Sequence, residues 1–373
     1  KCTNLAEGSI VLDPMCGSGT TLRVAIEHGI AAIGSDIDPL AVLISRVNTT
    51  YLNDARCLVA SENVVNKAKR LKLNETHLPW IDDDIETKKF VDFWFAKKQS
   101  NELRKLVTII DQDYTGKMQD FLRVAASRMI VTKEQKASLA RDTAHSRPHR
   151  VSLKNDFDVY SNFVKSSKTL AGLIPKANLP KAQVSIADSR HLSAIQDSSI
   201  DAVITSPPYL NAIDYMRGSK LALIWFGFKL SELRQIRSVS VGAEKKPEEN
   251  NISETSARVA SRMSFYNDLG SREQGIFIRY VSDMQRLMQE IRRVVKPGGL
   301  ATLVVGNSCI KGIFIRNTDA VIKAGEICGM KLISRTEREL PENRRYLPIS
   351  SLAIGSSLSR RMRTEAVLTF KNP

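Results

Sequence analysis

An α/β fold, with a mostly parallel central sheet interrupted by a large helical insertion, follows from three features of the 373-residue chain. Short apolar runs alternate with helical stretches near the start, the signature of strands joined by covering helices. Helical periodicity then takes over between about residues 53 and 180. The alternation resumes after that and continues to the end of the sequence.

The first strand is Ser9-Ile10-Val11-Leu12, which ends in Asp13-Pro14 and runs into a glycine-rich turn. Residues 20–27 have helical character and close at His28-Gly29. A second strand, 31–34, leads into Ser35-Asp36-Ile37-Asp38-Pro39. Pro39 suits the first turn of the next helix, where its missing N–H would have no partner in any case. Within the insertion, helices are expected over 101–110 and 117–130, and residues 145–150 read as a basic, irregular connector. Strands return at 182–186 and 200–204. Residues 238–271, rich in Glu, Asn, Ser and Arg, read as a mobile loop. An amphipathic helix over 277–295 is stopped by Lys296-Pro297-Gly298-Gly299, and strands follow at 300–305, 331–339 and 365–370. The expected organisation is one catalytic domain from 1–52 and 181–373, with 53–180 as the insertion.

Composition narrows the class of partner. The formal net charge is +15, and basic residues recur through the insertion at Lys67, Lys69, Arg70, Lys97, Lys98, Arg104, Lys105, Arg123 and Arg128. Such a balance favours a polyanion, because neutralised phosphates release counterions. It does not choose between DNA and RNA. The five cysteines (Cys2, Cys16, Cys57, Cys309, Cys328) stand at no zinc-ligand or redox spacing, and there are only five histidines. No metal site is expected, and the thiols read as reduced ones in a cytoplasmic protein. No apolar run approaches the roughly 20 residues that span a bilayer, so no membrane partner is expected.

Two motifs carry chemistry. In Asp13-Pro14-Met15-Cys16-Gly17-Ser18-Gly19-Thr20 the glycines let backbone approach a ligand closely between a strand and a helix. Asp36 ends the next strand about 20 residues later, where a carboxylate can hold ribose hydroxyls. It reads either as that acid or as a cap before Pro39, a role open to Asp38 as well. The turn lacks the Lys-Ser/Thr ending of a phosphate-binding loop and the spacing of a dinucleotide fingerprint. Asp13 would face a cation, and a methionine-type ammonium or sulfonium suits it. The second motif, Thr205-Ser206-Pro207-Pro208-Tyr209, directly follows the apolar strand 201–204. Two prolines stiffen a loop at a strand's carboxyl end, where ligands of open α/β sheets bind. A serine hydroxyl and a proline carbonyl could accept both hydrogens of a base amino group, whose lone pair is otherwise delocalised, and Tyr209 offers a face to an unstacked base.

Together these segments resemble the amino-methyltransferases that modify cytosine-N4 or adenine-N6 of DNA. The resemblance implies a Rossmann-like methyltransferase fold and S-adenosylmethionine as cofactor. Asp13, Pro14, Cys16, Gly17, Ser18, Gly19 and Thr20 match the methionine-binding motif. Asp36 with Ile37 matches the ribose-binding position, and Asp188 with Ser189 the motif whose acid contacts the adenine. Ser206, Pro207, Pro208 and Tyr209 match the catalytic motif. Serine in its first position is commoner in cytosine-N4 enzymes, Asp or Asn in adenine-N6 enzymes, which tilts the expectation to cytosine-N4. Carbon-5 methylation needs a thiolate in a Pro-Cys context, and no cysteine here follows a proline.

The implied partners are double-stranded DNA, read by the helical insertion with further basic clusters at Arg344, Arg345, Arg360, Arg361 and Arg363, and a restriction or specificity protein. Asn211 to Tyr215 would line the base pocket, whereas Trp225 and Phe226 read as core. The family's helix over the methionine end of the cofactor has no counterpart before Ile10 or after Phe370. The expectation is that it comes from outside this sequence or from a partner chain, leaving cofactor affinity weak. Two alternatives stand beside this reading: an RNA guanine-N2 or adenine-N6 methyltransferase, and a non-catalytic nucleic-acid-binding subunit that keeps the fold. Substituting Ser206 or Tyr209 separates an enzyme from the latter.

Overall fold

The computed structural model describes residues 5–141, 148–177, 179–210, 216–243, 254–340 and 364–373. Seven strands form one sheet: β1 (Ile10–Asp13), β2 (Ala31–Asp36), β3 (Ala182–Ile186), β4 (Ile200–Thr205), β5 (Val295–Gly306), β6 (Lys331–Glu339) and β7 (Thr364–Lys371). Their spatial order is β6-β7-β5-β4-β1-β2-β3. The pairs β1–β2, β2–β3, β1–β4 and β4–β5 are parallel, and β7 runs antiparallel to both its neighbours. The chain therefore starts mid-sheet, walks outward to β3 and returns to build the other half from β4. That reversal between β1 and β4 is the topological switch point of a doubly wound, Rossmann-like sheet.

Alternation along β1 shows how the sheet is covered. Val11 packs with Leu22, Ala25 and Ile26 of helix α1 (Thr20–Glu27) on one face. Its neighbour Leu12 points to the other face, into a larger core. Two helices supply most of that second layer, one over Ser271–Val294 and one over Asn317–Ile327, with Phe277, Met284, Leu287, Ile291 and Val321 facing Val203, Leu303 and Phe370. Opposite faces of successive residues are what a strand's period of two dictates.

After β2, helix α2 (Pro39–Asn48) begins with Pro39 at its first turn and Asp38 as cap, the Asp38 carboxylate accepting from Leu40 N at 2.9 Å. A helical layer follows, including Asp54–Arg70, Ile85–Trp94, Lys97–Asp113, Gly116–Ser127 and Val159–Leu173. Its core also takes in residues far along the chain. Helix Met216–Leu223 and the turn Ile224–Phe226 bury Leu221, Trp225 and Phe226 there, Trp225 edge-on to Phe95 at 5.1 Å between ring centroids. The Trp80 indole nitrogen donates to the Ile224 carbonyl at 2.7 Å. The stretch that follows the Ser-Pro-Pro-Tyr loop is thus built into the helical layer rather than onto the sheet.

Three expectations change. The expected loop at 238–271 is in part helical, since Glu254–Ser261 is a helix, Tyr266–Asp268 a single tight turn, and the long helix already starts at Ser271, while 240–243 run as a turn. Buried Ala260, Phe265 and Leu269 anchor this stretch, Phe265 meeting Phe277 edge-on at 5.0 Å. The polar composition masked that sparse apolar spacing. Second, the 145–150 connector is in part ordered, because His149–Arg150 pairs antiparallel with Ala140–Arg141. Third, the strand after Gly299 begins as early as Val295. His145, Ser146 and Arg147, Asn211 to Tyr215, residues 244–253, and the arginines at 344, 345, 360, 361 and 363 lie outside the described residues. Among the described residues, no helix is long and apolar enough to cross a membrane.

Candidate active site

The glycine turn is held from two sides. Cys16 N donates to the Ser35 carbonyl at 2.9 Å, and Gly17 N to Asp36 Oδ2 at 2.9 Å, tying the turn to the end of β2. From α2, Ser45 Oγ donates to the Gly17 carbonyl at 2.9 Å and Asn48 Nδ2 to the Ser18 carbonyl at 2.8 Å. Gly17 and Gly19 both have positive φ, +51° and +81°, and they differ in surroundings. A Cβ on Gly19 would lie 2.7 Å from Ser45 Oγ, whereas one on Gly17 would meet nothing within 4 Å. Gly19 therefore serves packing, and Gly17 opens onto free space. Pro14 and Cys16 are buried, while Ser18 and Thr20 stand at the surface. Burial pushes the Cys16 thiol up to about 12, so it is no nucleophile at neutral pH.

Asp36 is oriented by backbone: Oδ2 accepts from Gly17 N, and Oδ1 accepts from Asp38 N at 2.9 Å. Capping falls to Asp38 instead, whose second carboxylate oxygen accepts from Ser219 Oγ at 2.7 Å. Half-buried Ile37 lies between them. Ala187 N donates to the Asp36 carbonyl at 3.1 Å, which brings the Asp188-Ser189 loop beside the end of β2. Ser189 is buried. The Asp188 carboxylate is engaged by the neighbouring Arg190, whose Nε lies 2.9 Å from Oδ1 and whose Nη2 lies 2.6 Å from Oδ2. Burial works against the Asp188 charge, but these bonds hold its pKa below the ordinary carboxylate value.

Across the switch point, β4 delivers the proline loop. Thr205, its last residue, donates from Oγ1 to Asp13 Oδ1 at 2.7 Å, and both side chains are buried. Next in the chain, exposed Ser206 donates from Oγ to the Val304 carbonyl on β5 at 3.2 Å. Pro207 is buried and Pro208 half-buried. Tyr209 is half-buried, and its hydroxyl donates to Glu365 Oε1 on β7 at 2.9 Å. Glu365 is itself held by Arg338 of β6, Nη2 to Oε2 at 2.8 Å. The glycine turn and the Ser-Pro-Pro-Tyr loop thus leave adjacent strand ends, joined by the Thr205–Asp13 bond. Sequence reading missed Ser45, Asn48, Ser219 and Glu365. Thr205 and Arg190 stood inside the motifs it singled out, but it gave neither a role.

The profile of a family described as DNA methylase matches residues 3–46, the span holding β1, the glycine turn and Asp36. Over that span the chain is similar to the amino-methyltransferase family of DNA methylases. The chain is 22% identical to the type II methyltransferase M.MvaI of Kocuria varians, over 96% of its own length and 84% of the relative's. It is 27% identical to the type II methyltransferase M.BsoBI of Geobacillus stearothermophilus, over 64% of its own length and 51% of the relative's. A solved S-adenosylmethionine-dependent methyltransferase of Methanosarcina mazei aligns over 99% of this chain and 94% of its own at 11% identity, with a TM-score of 0.35, too distant to bear on the site.

The charge states of the buried carboxylates Asp13 and Asp36 give a testable pH dependence. Burial raises Asp13 from 3.8 to about 6, and it raises Asp36 as well. A carboxyl raised on folding binds more protons folded than unfolded. Its contribution is favourable below about pH 4 and is lost as pH rises through about 6. A cationic ligand needs the ionised form, so the sign for binding is opposite. Affinity for S-adenosylmethionine should rise with pH up to about 6, by at most about tenfold per unit for one titrating group, and then level off. Isothermal titration at pH 5, 6, 7 and 8 measures it, and Asp13→Asn should flatten the profile. A slope that survives that substitution would assign the titration to another carboxylate.

Proposed function

We propose that this chain transfers a methyl group from S-adenosylmethionine to an exocyclic amino group of a DNA base turned out of the duplex, cytosine-N4 in preference to adenine-N6. The observation that carries the reading is the Thr205–Asp13 hydrogen bond, which sets the cofactor turn and the catalytic loop side by side at the switch point. The residues present fit the cofactor. Asp13 is a buried carboxylate whose raised pKa reflects burial with no basic group among its causes, so an ammonium would satisfy it. Gly17 opens onto free space, and Asp36 is held by backbone bonds in a fixed orientation for ribose hydroxyls.

When bound, S-adenosylmethionine supplies an electrophilic methyl group on a sulfonium. The chain's own contribution is to the nucleophile. Ser206 spends its only hydroxyl hydrogen on the Val304 carbonyl, which leaves its oxygen as an acceptor. Together with the carbonyl of Pro207, it can take both hydrogens of the base amino group and turn the nitrogen lone pair towards the methyl carbon. Methylation of that nitrogen by the bound cofactor would require the amino group to give up one of its two protons, which can pass to solvent from the exposed Ser206 side of the loop. Positioning and electrostatics supply the rate effect. Tyr209, its hydroxyl fixed by Glu365, offers its ring to the unstacked base. The basic helices of 53–180 suit phosphate contact and target recognition. Part of that charge is already spent, with Lys67 on Asp113, Arg104 on Asp82 and Arg123 on Asp111.

DNA from cells expressing the protein, sequenced with a readout that separates N4-methylcytosine from N6-methyladenine, tests the reading. N4-methylcytosine at a fixed sequence is the expected result. N6-methyladenine would overturn the preference for cytosine, and DNA unmodified beside modified RNA would overturn the choice of substrate.

A further inference from the structure

The Asp188–Arg190 pair opens onto a wider network. The Arg190 side chain is 8% exposed and uses its fork in three directions. Nε and Nη2 close on Asp188, Nη1 donates to Asp283 Oδ1 at 2.5 Å, and Nη2 also donates to the Val239 carbonyl at 2.7 Å. Asp283 lies on the long helix Ser271–Val294, and so does Arg279 one turn earlier. Arg279 Nη2 donates to the carbonyls of Ser238 and Ser240 at 2.9 and 3.4 Å. Two arginines from other elements thus hold three consecutive carbonyls where helix Leu230–Val239 ends. Terminal carbonyls of a helix have no partner of their own and attract cations.

What this end of the helix leads to gives the network its meaning. The chain continues through Val241 to Gly242, which packs on the Ser-Pro-Pro-Tyr loop. A Cβ on Gly242 would lie 3.6 Å from the Tyr209 carbonyl oxygen and 3.8 Å from Pro208 Cβ. The Asp188 carboxylate is taken up at the same time, since Oδ1 also accepts from Arg190 N at 2.9 Å. Little of its hydrogen-bonding capacity is left for the amino group of a cofactor adenine.

We infer that Arg190 is a positioning residue: a strut between Asp188 and Asp283 that fixes the 238–243 segment against the Ser-Pro-Pro-Tyr loop, with Asp188 acting through it rather than by direct contact with the cofactor. The inference rests on the reading of that loop as catalytic. Lysine at 190 keeps the charge but cannot span Asp188, Asp283 and the Val239 carbonyl together, because it lacks the planar fork.

The test is kinetic and structural on the whole chain. Arg190→Lys should lower kcat for methyl transfer by about 10- to 100-fold, the scale of a modest misplacement of reacting groups. The Kd for S-adenosylmethionine should stay within about twofold. Arg279→Lys removes contacts to the same segment without touching Asp188, and should show the same split. Amide hydrogen exchange over 238–243 should speed up in both variants while the strands keep their protection, which separates loss of the strut from global unfolding. A Kd weakened tenfold or more with kcat kept would overturn the inference by making Asp188 and Arg190 cofactor ligands. Unchanged exchange over 238–243 would overturn it too. The exchange measurement needs no activity, so it stands even if the wild-type protein transfers no methyl group to DNA, a result that would sink the catalytic reading alone.

Discussion

Alanine at Ser206 is expected to cut the single-turnover rate of methyl transfer by about 10²–10³-fold, the usual cost of losing one preorganised polar group at a reacting centre. DNA binding should change by no more than about twofold, because the side chain is one small group in an interface dominated by phosphate contacts. The reason is directional. With its hydrogen committed to the Val304 carbonyl, Ser206 Oγ can serve the base only as an acceptor. Alanine leaves one amino hydrogen unpaired and the nitrogen lone pair in the ring. The fold should be indifferent, since Ser206 is exposed. Labelled-methyl transfer in a single turnover, paired with fluorescence anisotropy on the same duplex, gives both quantities. A variant that keeps the wild-type rate would show that the loop does not bind the reacting group.

The second large effect concerns the glycine turn, where two glycines should fail in different ways. Gly19→Val puts a branched side chain at φ +81° and into Ser45, whose Oγ and Cα would lie 2.7 and 3.0 Å from the new Cβ. The left-handed backbone costs about 1–2 kcal/mol and the overpacking about 1–3 more. That is a large share of the roughly 5–15 kcal/mol that holds a domain together. A clear fall in Tm and loss of S-adenosylmethionine binding are expected together. Gly17→Ala meets no neighbour, so its cost should be confined to the backbone, on the order of 1 kcal/mol. Its new methyl group would occupy the open space beside the turn, and cofactor affinity should drop with little change in Tm. Thermal melts with and without cofactor distinguish the two. Equal loss of stability at both positions would contradict the division of labour between them.

The parts of the site that could be read from sequence are those whose physics is local. A strand ending in Asp13, a glycine turn and a helix starting at Thr20 are encoded within a dozen or so neighbours, and the strand Ala182–Ile186 by its own alternation. Pro39 announced a helix start for the same reason. Residues 254–270 were misjudged because their few buried side chains are spaced too sparsely to show a period. What orders them is the long helix beneath. The cap before Pro39, a role left open between Asp36 and Asp38, falls to Asp38 only because the structure brings its carboxylate to Leu40 N.

The sequence by itself determined the class of fold, the order of its elements and the two chemical motifs. Each follows from periodicity, turn residues or side-chain type within a short window, where chain connectivity already limits the geometry. Tertiary structure alone decided that the motifs meet. Asp13 and Thr205 are 192 residues apart, and Tyr209 and Glu365 are 156 apart. It also decided that Arg190 spans two carboxylates and a helix end. Contacts of that kind depend on which strands lie side by side, and strand order is a property of the whole sheet's packing that no local pattern encodes.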